Sequence, residues 1–394
     1  MAEGSLDYLK EHLDELEQAG TALHPRTLES AQHARARFDG RDVINLASNN
    51  YLGLAAHPRM KEAAARAAAE FGAGSGAVRT IAGTMSLHTE LERRFAAFKG
   101  ADAAIMFQAG FTANSGTVAA ILTKEDVIVS DQLNHASIID GARLSKAEIK
   151  VFPHKDAAAA DALLEESKAP GRHQLLITDG VFSMDGDIAP LPALVEVAEK
   201  HGAVMMIDDA HASGVLGKNG RGTVEHFGVH GRVDIQVGTL SKAIGVLGGF
   251  IAGPQHLIDW LVNRGRPFLF STSAPPAVAA ACIEALNILE ESPELVERLW
   301  DRTRFFKQGL TELGFDTGQS ETPITPVIAG EETKAVELSR LLWEEGVFTP
   351  AIVFPTVAKG SARVRTIVTA EHTEDDLKEA LEAFERVGRK LGLI

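Results

Sequence analysis

The sequence predicts an α/β protein whose main sheet is mostly parallel, followed by a smaller C-terminal α+β domain. Between residues 100 and 253, seven short apolar runs alternate with helical stretches, which is typical of a parallel sheet covered by helices on both faces. After about residue 285 the alternation stops, and amphipathic helices flank two further apolar runs. The 394 residues, 45% of them hydrophobic, suffice for two or three domains with a sizeable core.

The first predicted element is an amphipathic helix over residues 5–19, which Gly20 ends. Its apolar stripe consists of Leu6, Leu9, Leu13 and Leu16. This stripe can pack against its own chain or against a second subunit, and the spacing of the leucines does not distinguish between these two alternatives. We assign residues 1–45 to an N-terminal helix and arm.

Seven apolar runs predict the strands of the main sheet. In chain order they are AAIMF, DVIVS, IKVF, QLLIT, AVMMID, DIQV and GGFIAG. Ligands of such sheets bind beyond the carboxyl ends of the strands, so the residues that follow each run are candidates for a site. We assign residues 46–285 to this large domain.

Residues 286–394 are predicted to form the smaller domain. Helical segments over 292–313 and 332–346 flank the run TPITPVIAG, and VRTIVTA precedes a final helix. Thr373 and Asp376 have the spacing of a capping box at the start of that helix.

Composition and charge narrow the class of protein. With 39 basic and 54 acidic residues the net charge is −15, which argues against nucleic acid and anionic membranes as partners. No apolar run has transmembrane length. The single cysteine, Cys282, excludes an internal disulfide and reads as a buried apolar residue. Residues 1–18 carry six acids and one lysine, unlike a targeting segment, so we expect a cytoplasmic enzyme.

Two of the strand ends carry groups that bind charge. Gly110 follows AAIMF at a probable helix start, where backbone N–H groups attract phosphate. AVMMID ends in Asp208, and Asp209 and His211 follow it; buried carboxylates need a cation or hydrogen-bond donors. Three interpretations stay open here: a metal site, an organic cation such as a protonated ring nitrogen, or a structural salt bridge.

Other strand ends supply an imidazole at His135, a hydroxyl at Ser183 and an amine at Lys242. An anion cradle, an acid, an imidazole and a lysine together are what pyridoxal phosphate (PLP) chemistry requires, and no metal is needed. Burial and nearby positive charge would lower the pKa of such a lysine. The alternatives are a lysine aldolase without cofactor, a metal-dependent hydrolase and a non-catalytic binding protein.

Eight ordered motifs span nearly the whole chain. They are NLASNNYLGL, GAGSGAVRTIAGT, DQLNHASIIDGARLS, TDGVFSMDGDIAPL, DDAHASGVLG, GTLSKA, RPFLFSTS and VRTIVTAEHT. In these motifs the chain resembles the α-oxoamine synthases, PLP-dependent enzymes that condense an amino acid with an acyl-CoA. The resemblance implies the PLP-dependent transferase fold type I, with a mostly parallel seven-stranded sheet flanked by helices.

The resemblance also implies roles around the cofactor ring. Lys242 would hold the cofactor as an aldimine and later remove the α-proton of the substrate. Asp208 would pair with the pyridine nitrogen and His211 with the phenolic oxygen. His135 would stack on the ring, and Ser183 would face it.

Phosphate contacts are implied from two chains. Within one chain they would come from Gly110, Phe111, Thr239 and Ser241. In this family the active site lies between the subunits of a homodimer, so Ser271 and Thr272 would reach the phosphate of the neighbour's cofactor.

The resemblance assigns the substrate carboxylate to Arg365, whose planar fork suits a carboxylate, with Asn49 nearby. His135 would also help to polarise the thioester carbonyl. Arg363 is the alternative ligand of the substrate carboxylate, because strand alternation puts the side chains of Arg363 and Arg365 on the same face.

Among the family's activities, the motifs look most like glycine C-acetyltransferase (2-amino-3-ketobutyrate CoA ligase), which joins glycine to acetyl-CoA. The alternative is the 8-amino-7-oxononanoate synthase reaction of biotin synthesis, which joins alanine to a pimeloyl thioester with loss of CO₂; one enzyme could do both. Ala77 and Val78 stand where succinyl-using relatives carry a polar residue, which disfavours 5-aminolevulinate synthase. Of these activities, we expect that of a serine palmitoyltransferase least.

Overall fold

A computed structural model describes residues 4–18 and 21–394 of the chain. Its strands are β1 (Arg35–Phe38), β2 (Arg41–Asn45), β3 (Ala103–Phe107), β4 (Val127–Asp131), β5 (Glu148–Phe152), β6 (Gln174–Asp179), β7 (Val204–Asp208), β8 (Ile235–Thr239), β9 (Gly249–Gly253), β10 (Ile324–Gly330), β11 (Val347–Phe348), β12 (Ala351–Ile352) and β13 (Ala362–Ile367).

Fourteen α-helices occupy most of the remaining described chain. They are α1 (Tyr8–Gln18), α2 (Pro58–Phe71), α3 (Ser86–Lys99), α4 (Gly110–Ile121), α5 (Ala136–Ser145), α6 (Ala157–Glu166), α7 (Leu191–His201), α8 (Thr223–Phe227), α9 (Gln255–Arg264), α10 (Arg266–Phe270), α11 (Pro276–Glu291), α12 (Glu294–Leu313), α13 (Glu332–Glu344) and α14 (Glu374–Leu391).

The main sheet has seven strands in the order β3-β9-β8-β7-β6-β4-β5. Only β9 runs antiparallel to its neighbours, β3 and β8. The other pairs are parallel. The prediction of a mostly parallel seven-stranded sheet is therefore confirmed, and each predicted apolar run coincides with one strand to within two residues.

Helices cover both faces of this sheet, as an alternating strand–helix sequence requires. Along β7 the side chains alternate between two apolar clusters. Met206 belongs to the cluster that includes residues of α4, α5 and α9. Met205 and Ile207 belong to the cluster formed with α6 and α7. Because both faces are buried, the polar groups at the carboxyl ends of the strands mark the open edge of the sheet.

The C-terminal segment adds two small sheets, β10-β13-β12 and β1-β2-β11. In the second, Val347 of β11 pairs in parallel with Ile44 of β2. Ile44 also joins the apolar cluster that contains Phe306 and Phe384. The predicted arm thus contributes a strand to the C-terminal layer, and the division at residues 45 and 285 stays a prediction.

The predicted capping box of the last helix is present. The Thr373 hydroxyl accepts a hydrogen bond from the Asp376 N–H at 3.1 Å, and the Asp376 carboxylate accepts one from the Thr373 N–H at 2.8 Å. Cys282 is buried within α11, as its apolar context predicts.

The N-terminal helix begins at Tyr8, three residues later than predicted, and Gly20 lies outside the described residues. No residue of α1 is buried. The leucines at positions 6, 9, 13 and 16 are between 42% and 65% exposed, so the stripe does not pack on its own chain here. Within the described part of the chain, none of the helices is long and apolar enough to cross a membrane.

Candidate active site

A cavity of about 230 Å³ opens at the carboxyl edge of the main sheet, between the start of α4 and the ends of β6, β7 and β8. Nine of the predicted site residues line it. They are Gly110, Phe111, His135, Ser183, Asp208, His211, Thr239, Ser241 and Lys242. Five separate stretches of chain thus deliver the predicted groups to one place.

Four predicted residues do not line this cavity. Arg365 approaches its rim, where Nη1 donates to the carbonyl of Ser183 at 3.1 Å. Asn49 lies two residues before Tyr51, whose hydroxyl contacts His211 of the cavity. Ser271 and Thr272 lie outside it, and the Thr272 carbonyl accepts from Gln108 at 3.0 Å. The geometry therefore does not favour a role for Ser271 and Thr272 in the cavity of their own chain.

Lys242 follows β8 and is half-buried at the wall of the cavity. Burial lowers the pKa of Lys242 to about 8, and the charge of Arg365 acts in the same direction, whereas Asp208 and Asp179 oppose the change. An amine with this pKa is partly neutral near pH 7, as attack on an aldehyde requires.

Asp208 ends β7, and its carboxylate is held from two sides. The Asn114 amide donates to Oδ2 at 2.6 Å, and the backbone N–H of Ala210 donates to Oδ1 at 2.8 Å. Hydrogen bonds from neutral donors stabilise the ionised form of a buried carboxyl. Asp208 is thus placed to face a cation in the cavity.

His211 is buried, and the hydroxyl of Tyr51 lies 2.7 Å from its Nδ1. Burial lowers the pKa of His211 well below its usual range, and the charges of Lys242, Arg365 and His135 add to the effect. Burial likewise raises the pKa of the Tyr51 phenol. A neutral imidazole whose Nδ1 accepts from Tyr51 presents Nε2–H as a donor.

His135 is the N-cap of α5, and its Nδ1 lies 2.7 Å from the hydroxyl of Ser137. Its backbone N–H donates to the Asp179 carboxylate at 3.0 Å. Burial lowers the pKa of His135, and Lys242 also lowers it, although Asp208 opposes the change. The imidazole is therefore fixed in direction by its own backbone and by Ser137.

The start of α4 and the β8 end form an anion cradle. The N-cap of α4, Ala109, gives no side-chain cap, so the N–H groups of the first turn are free to meet an anion. The hydroxyls of Thr239 and Ser241 lie 2.8 Å apart beside it. A Cβ on Gly249 would lie 2.6 Å from the Ala109 carbonyl carbon, so glycine is required where β9 meets the cradle.

This set of groups fits PLP. The cradle suits its phosphate, Asp208 its ring nitrogen, the neutral His211 its phenolic oxygen, and the weakly basic Lys242 its aldehyde. The metal alternative fits poorly, because Asp209 turns away from Asp208 to form a buried ion pair with Lys99 at 2.7 Å. Across residues 4–18 and 21–394, no group of three His, Cys, Asp or Glu residues could hold a metal ion.

The two rival arginines differ in their partners. Arg363 is engaged by the Asp185 carboxylate at 2.5 Å and by the Met184 carbonyl at 3.2 Å. The Nε–H of Arg365 is buried and has no partner among the residues that the structure describes. A free guanidinium donor near the cavity favours Arg365 as the carboxylate ligand.

Two side chains of the site, Tyr51 and Asn114, were not among the predicted residues. Asn114 lies one helical turn after Gly110, a spacing that puts both on the same face of α4 and could have indicated it. Tyr51 stands 160 residues before His211, and no local pattern joins them.

Comparison with known proteins shows the family. The profile of the family "aminotransferase class I and II" matches residues 41–384. The 8-amino-7-oxononanoate synthase of Symbiobacterium thermophilum is 61% identical over 388 residues, covering 98% of this chain and 99% of its own. That of Thermoanaerobacter pseudethanolicus is 60% identical, covering 99% and 98%. A structure of SPT with a PLP internal aldimine is 32% identical, with a TM-score of 0.93, covering 99% and 98%.

These relatives correct one expectation. Both carry the name of the reaction that was expected only as the alternative, so the similarity favours that reaction over glycine acetyl transfer. The motifs that the two activities share had misled the choice between them. Fold, cofactor and reaction class agree, and the chain therefore belongs to the aminotransferase class I and II family and, within it, to the PLP-dependent α-oxoamine synthases.

Proposed function

We propose that the protein is an 8-amino-7-oxononanoate synthase. The Cα of alanine forms a bond to the thioester carbonyl of a pimeloyl donor, the thiol leaves, and the alanine carboxylate leaves as CO₂. The observation that carries this proposal is the 61% identity, over 98% of the chain, to a relative of that name. The cavity supports it, because it brings together an amine, a carboxylate, two imidazoles and an anion cradle.

When bound, PLP supplies an aldehyde that joins to an amine and a ring that accepts the electron pair released at the amino acid's Cα. Lys242 is the amine in the resting enzyme. Its Nζ would also accept the proton from the Cα of bound alanine, because a pKa of about 8 leaves the amine partly neutral.

Arg365 would bind the alanine carboxylate through its guanidinium group, whose buried Nε–H has no partner within the described chain. This contact would orient the Cα–H bond of the substrate toward Lys242. We assign Asn49 to the same carboxylate, to which its Nδ2 amide group would donate.

Asp208 would keep a proton on the ring nitrogen, and His211 would donate Nε2–H to the phenolic oxygen. His135 would stack on the ring and polarise the thioester carbonyl, and Ser183 would face the ring from the wall of the same cavity. The phosphate would be held by the N–H groups of Gly110 and Phe111 and by the hydroxyls of Thr239 and Ser241.

The proposal includes a homodimer that shares its active sites. Ser271 and Thr272 lie outside the cavity of their own chain, and we assign them to the phosphate of the second subunit's cofactor. Leu9, Leu13 and Leu16 of α1 are exposed and form an apolar surface that a partner subunit would cover.

An assay of thiol release tests the function. Purified enzyme is given alanine with pimeloyl-CoA and, separately, glycine with acetyl-CoA. We expect turnover with the first pair, release of one CO₂ per thiol, and no turnover after Lys242→Ala. A rate confined to glycine and acetyl-CoA would overturn the proposal.

A further inference from the structure

A chain of buried hydrogen bonds runs behind the cavity and joins two of its groups. Asn114 on α4 is 1% exposed, and its amide nitrogen uses both N–H bonds. One goes to the Asp208 Oδ2 at 2.6 Å and the other to the Ser137 hydroxyl at 2.9 Å. Since Ser137 lies 2.7 Å from Nδ1 of His135, a single amide connects the acid of the site to its imidazole.

The packing of α4 on α5 fixes this connection. A Cβ on Gly141 of α5 would lie 2.9 Å from the Cα of Ser115 and 3.2 Å from the carbonyl oxygen of Asn114. The two helices therefore touch backbone to backbone at this point. Their close approach is what brings Ser137 within hydrogen-bond distance of the Asn114 amide.

Asp208 also has a second carboxyl beside it. Asp179 of β6 is its direct partner in the parallel register, and both are buried. Two neighbouring buried carboxyls repel each other when both are charged, so ionisation of one favours a proton on the other. The choice between them depends on which carboxyl receives more hydrogen bonds.

The donors are distributed unequally. Asp208 accepts from the Asn114 amide and from the Ala210 N–H, whereas Asp179 accepts from the His135 N–H alone among the described residues. Burial raises the pKa of Asp179 well above its usual range, and Asp208 and Asp131 add to this, while Lys242 opposes it.

We propose that Asn114 is a positioning residue that makes Asp208, and not Asp179, the ionised partner of the cofactor's ring nitrogen. Through Ser137 the same amide fixes the imidazole of His135. The inference rests on the proposed role of Asp208. It goes beyond that role by assigning the proton of the carboxyl pair to Asp179.

The test is the pH titration of the visible absorbance of the PLP-loaded enzyme. In Asn114→Leu, Asp208 loses a donor and shares its charge with Asp179, so the ring nitrogen is less protonated. The nitrogen that joins Lys242 to the cofactor then keeps its proton to higher pH. We expect the midpoint to rise by about one pH unit and the cofactor to dissociate about tenfold more readily.

A matched control separates this effect from loss of stability. Asn45 is also 1% exposed, and its amide nitrogen donates to Gln32 and to the His33 carbonyl, away from the cavity. Asn45→Leu should lower the melting temperature as Asn114→Leu does, without moving the midpoint. Equal midpoints in Asn114→Leu and the wild type would overturn the proposal.

Asp179→Asn tests the same assignment with an isosteric change that preserves packing. If Asp179 is neutral, a neutral amide in its place leaves the midpoint within a few tenths of a pH unit of wild type. A rise as large as the one expected for Asn114→Leu would identify Asp179 as the charged partner and overturn the proposal, and it remains measurable if Asn114→Leu does not fold.

These outcomes are distinct from failure of the proposed function. The titration needs only bound PLP, whereas the thiol-release assay needs the correct substrates. A normal titration in an enzyme that ignores pimeloyl-CoA would reject the proposed function and leave the role of Asn114 standing.

Discussion

The hydroxyl of Tyr51 lies 2.7 Å from Nδ1 of His211, and both side chains are buried. The bond joins the loop after β2 to the loop after β7. It occupies Nδ1 of His211 and leaves Nε2 as the ring nitrogen available to a group in the cavity.

Tyr51→Phe should therefore weaken cofactor binding without unfolding the protein. Loss of one buried hydrogen-bond partner costs about 1–3 kcal/mol, so we expect the PLP dissociation constant to rise about tenfold. Titration of the visible absorbance measures it. The chain has only one other tyrosine, Tyr8, which is exposed, and Tyr8→Phe should leave the constant unchanged.

Lys242 should control the pH dependence of cofactor loading. Its amine reacts only when neutral, and its pKa is lowered to about 8, so the rate at which enzyme stripped of PLP recombines with it should rise with pH around that midpoint. Stopped-flow absorbance follows the reaction, and Lys242→Ala should abolish it.

Lys307 offers the control for that experiment. Burial lowers its pKa to about 8 as well, but it donates to the Ser320 and Thr322 carbonyls outside the cavity. Lys307→Arg should keep the same loading profile. A wild-type midpoint near 10.5, the ordinary value of a lysine, would contradict the prediction.

Substitutions of Arg365 and Arg363 should have different effects on substrate binding and on stability. Arg365→Ala removes charged hydrogen bonds to the substrate, so the KM for alanine should rise at least about tenfold, while the melting temperature changes little. Arg363→Ala leaves the Asp185 carboxylate without its partner, so the melting temperature should fall instead. The reverse pattern in steady-state kinetics and thermal melts would exchange the two roles.

His154 should make the stability of the fold depend on pH. It lies 3.0 Å from Asp131 and 2.9 Å from Asp187. Burial lowers its pKa, but these two carboxylates outweigh burial and raise the pKa to about 9. A pKa raised in the folded state stabilises fully below about pH 6.5, and the contribution disappears as the pH rises through 9.

After discounting for partial exposure, we expect the free energy of unfolding to fall by about 1–2 kcal/mol between pH 6.5 and pH 9.5 because of His154. Urea unfolding at several pH values measures the change. In His154→Gln most of this slope should vanish, whereas His12→Gln, at an exposed position of α1, should retain it. An unchanged slope in His154→Gln would contradict the assignment.

The sequence predicts the main sheet well because its strands are short, mostly apolar runs separated by helical stretches. The cavity residues are predictable for the same reason, since parallel strands end at one edge. Tyr51 escapes this logic, and so does the pairing of Asp179 with Asp208. Tyr51 acts across 160 residues of chain, and the importance of Asp179 depends on its register with Asp208, which the sequence does not contain.

The substrate could not be predicted from the strand ends, for another reason. Glycine and alanine differ by one methyl group, and the residues assigned to PLP do not distinguish between the two amino acids. Only similarity over the whole chain, and not the motifs around Lys242, favours one reaction over the other.

The parallel pairing of β2 with β11 has a consequence for biosynthesis. Ile44 gains its neighbour on β11 only when the ribosome has added Val347, about 300 residues later. At roughly 5–20 residues per second, that interval lasts about 15–60 s. Throughout it the nascent chain carries an uncovered strand edge, so this is the stage at which a chaperone would protect the growing protein from aggregation.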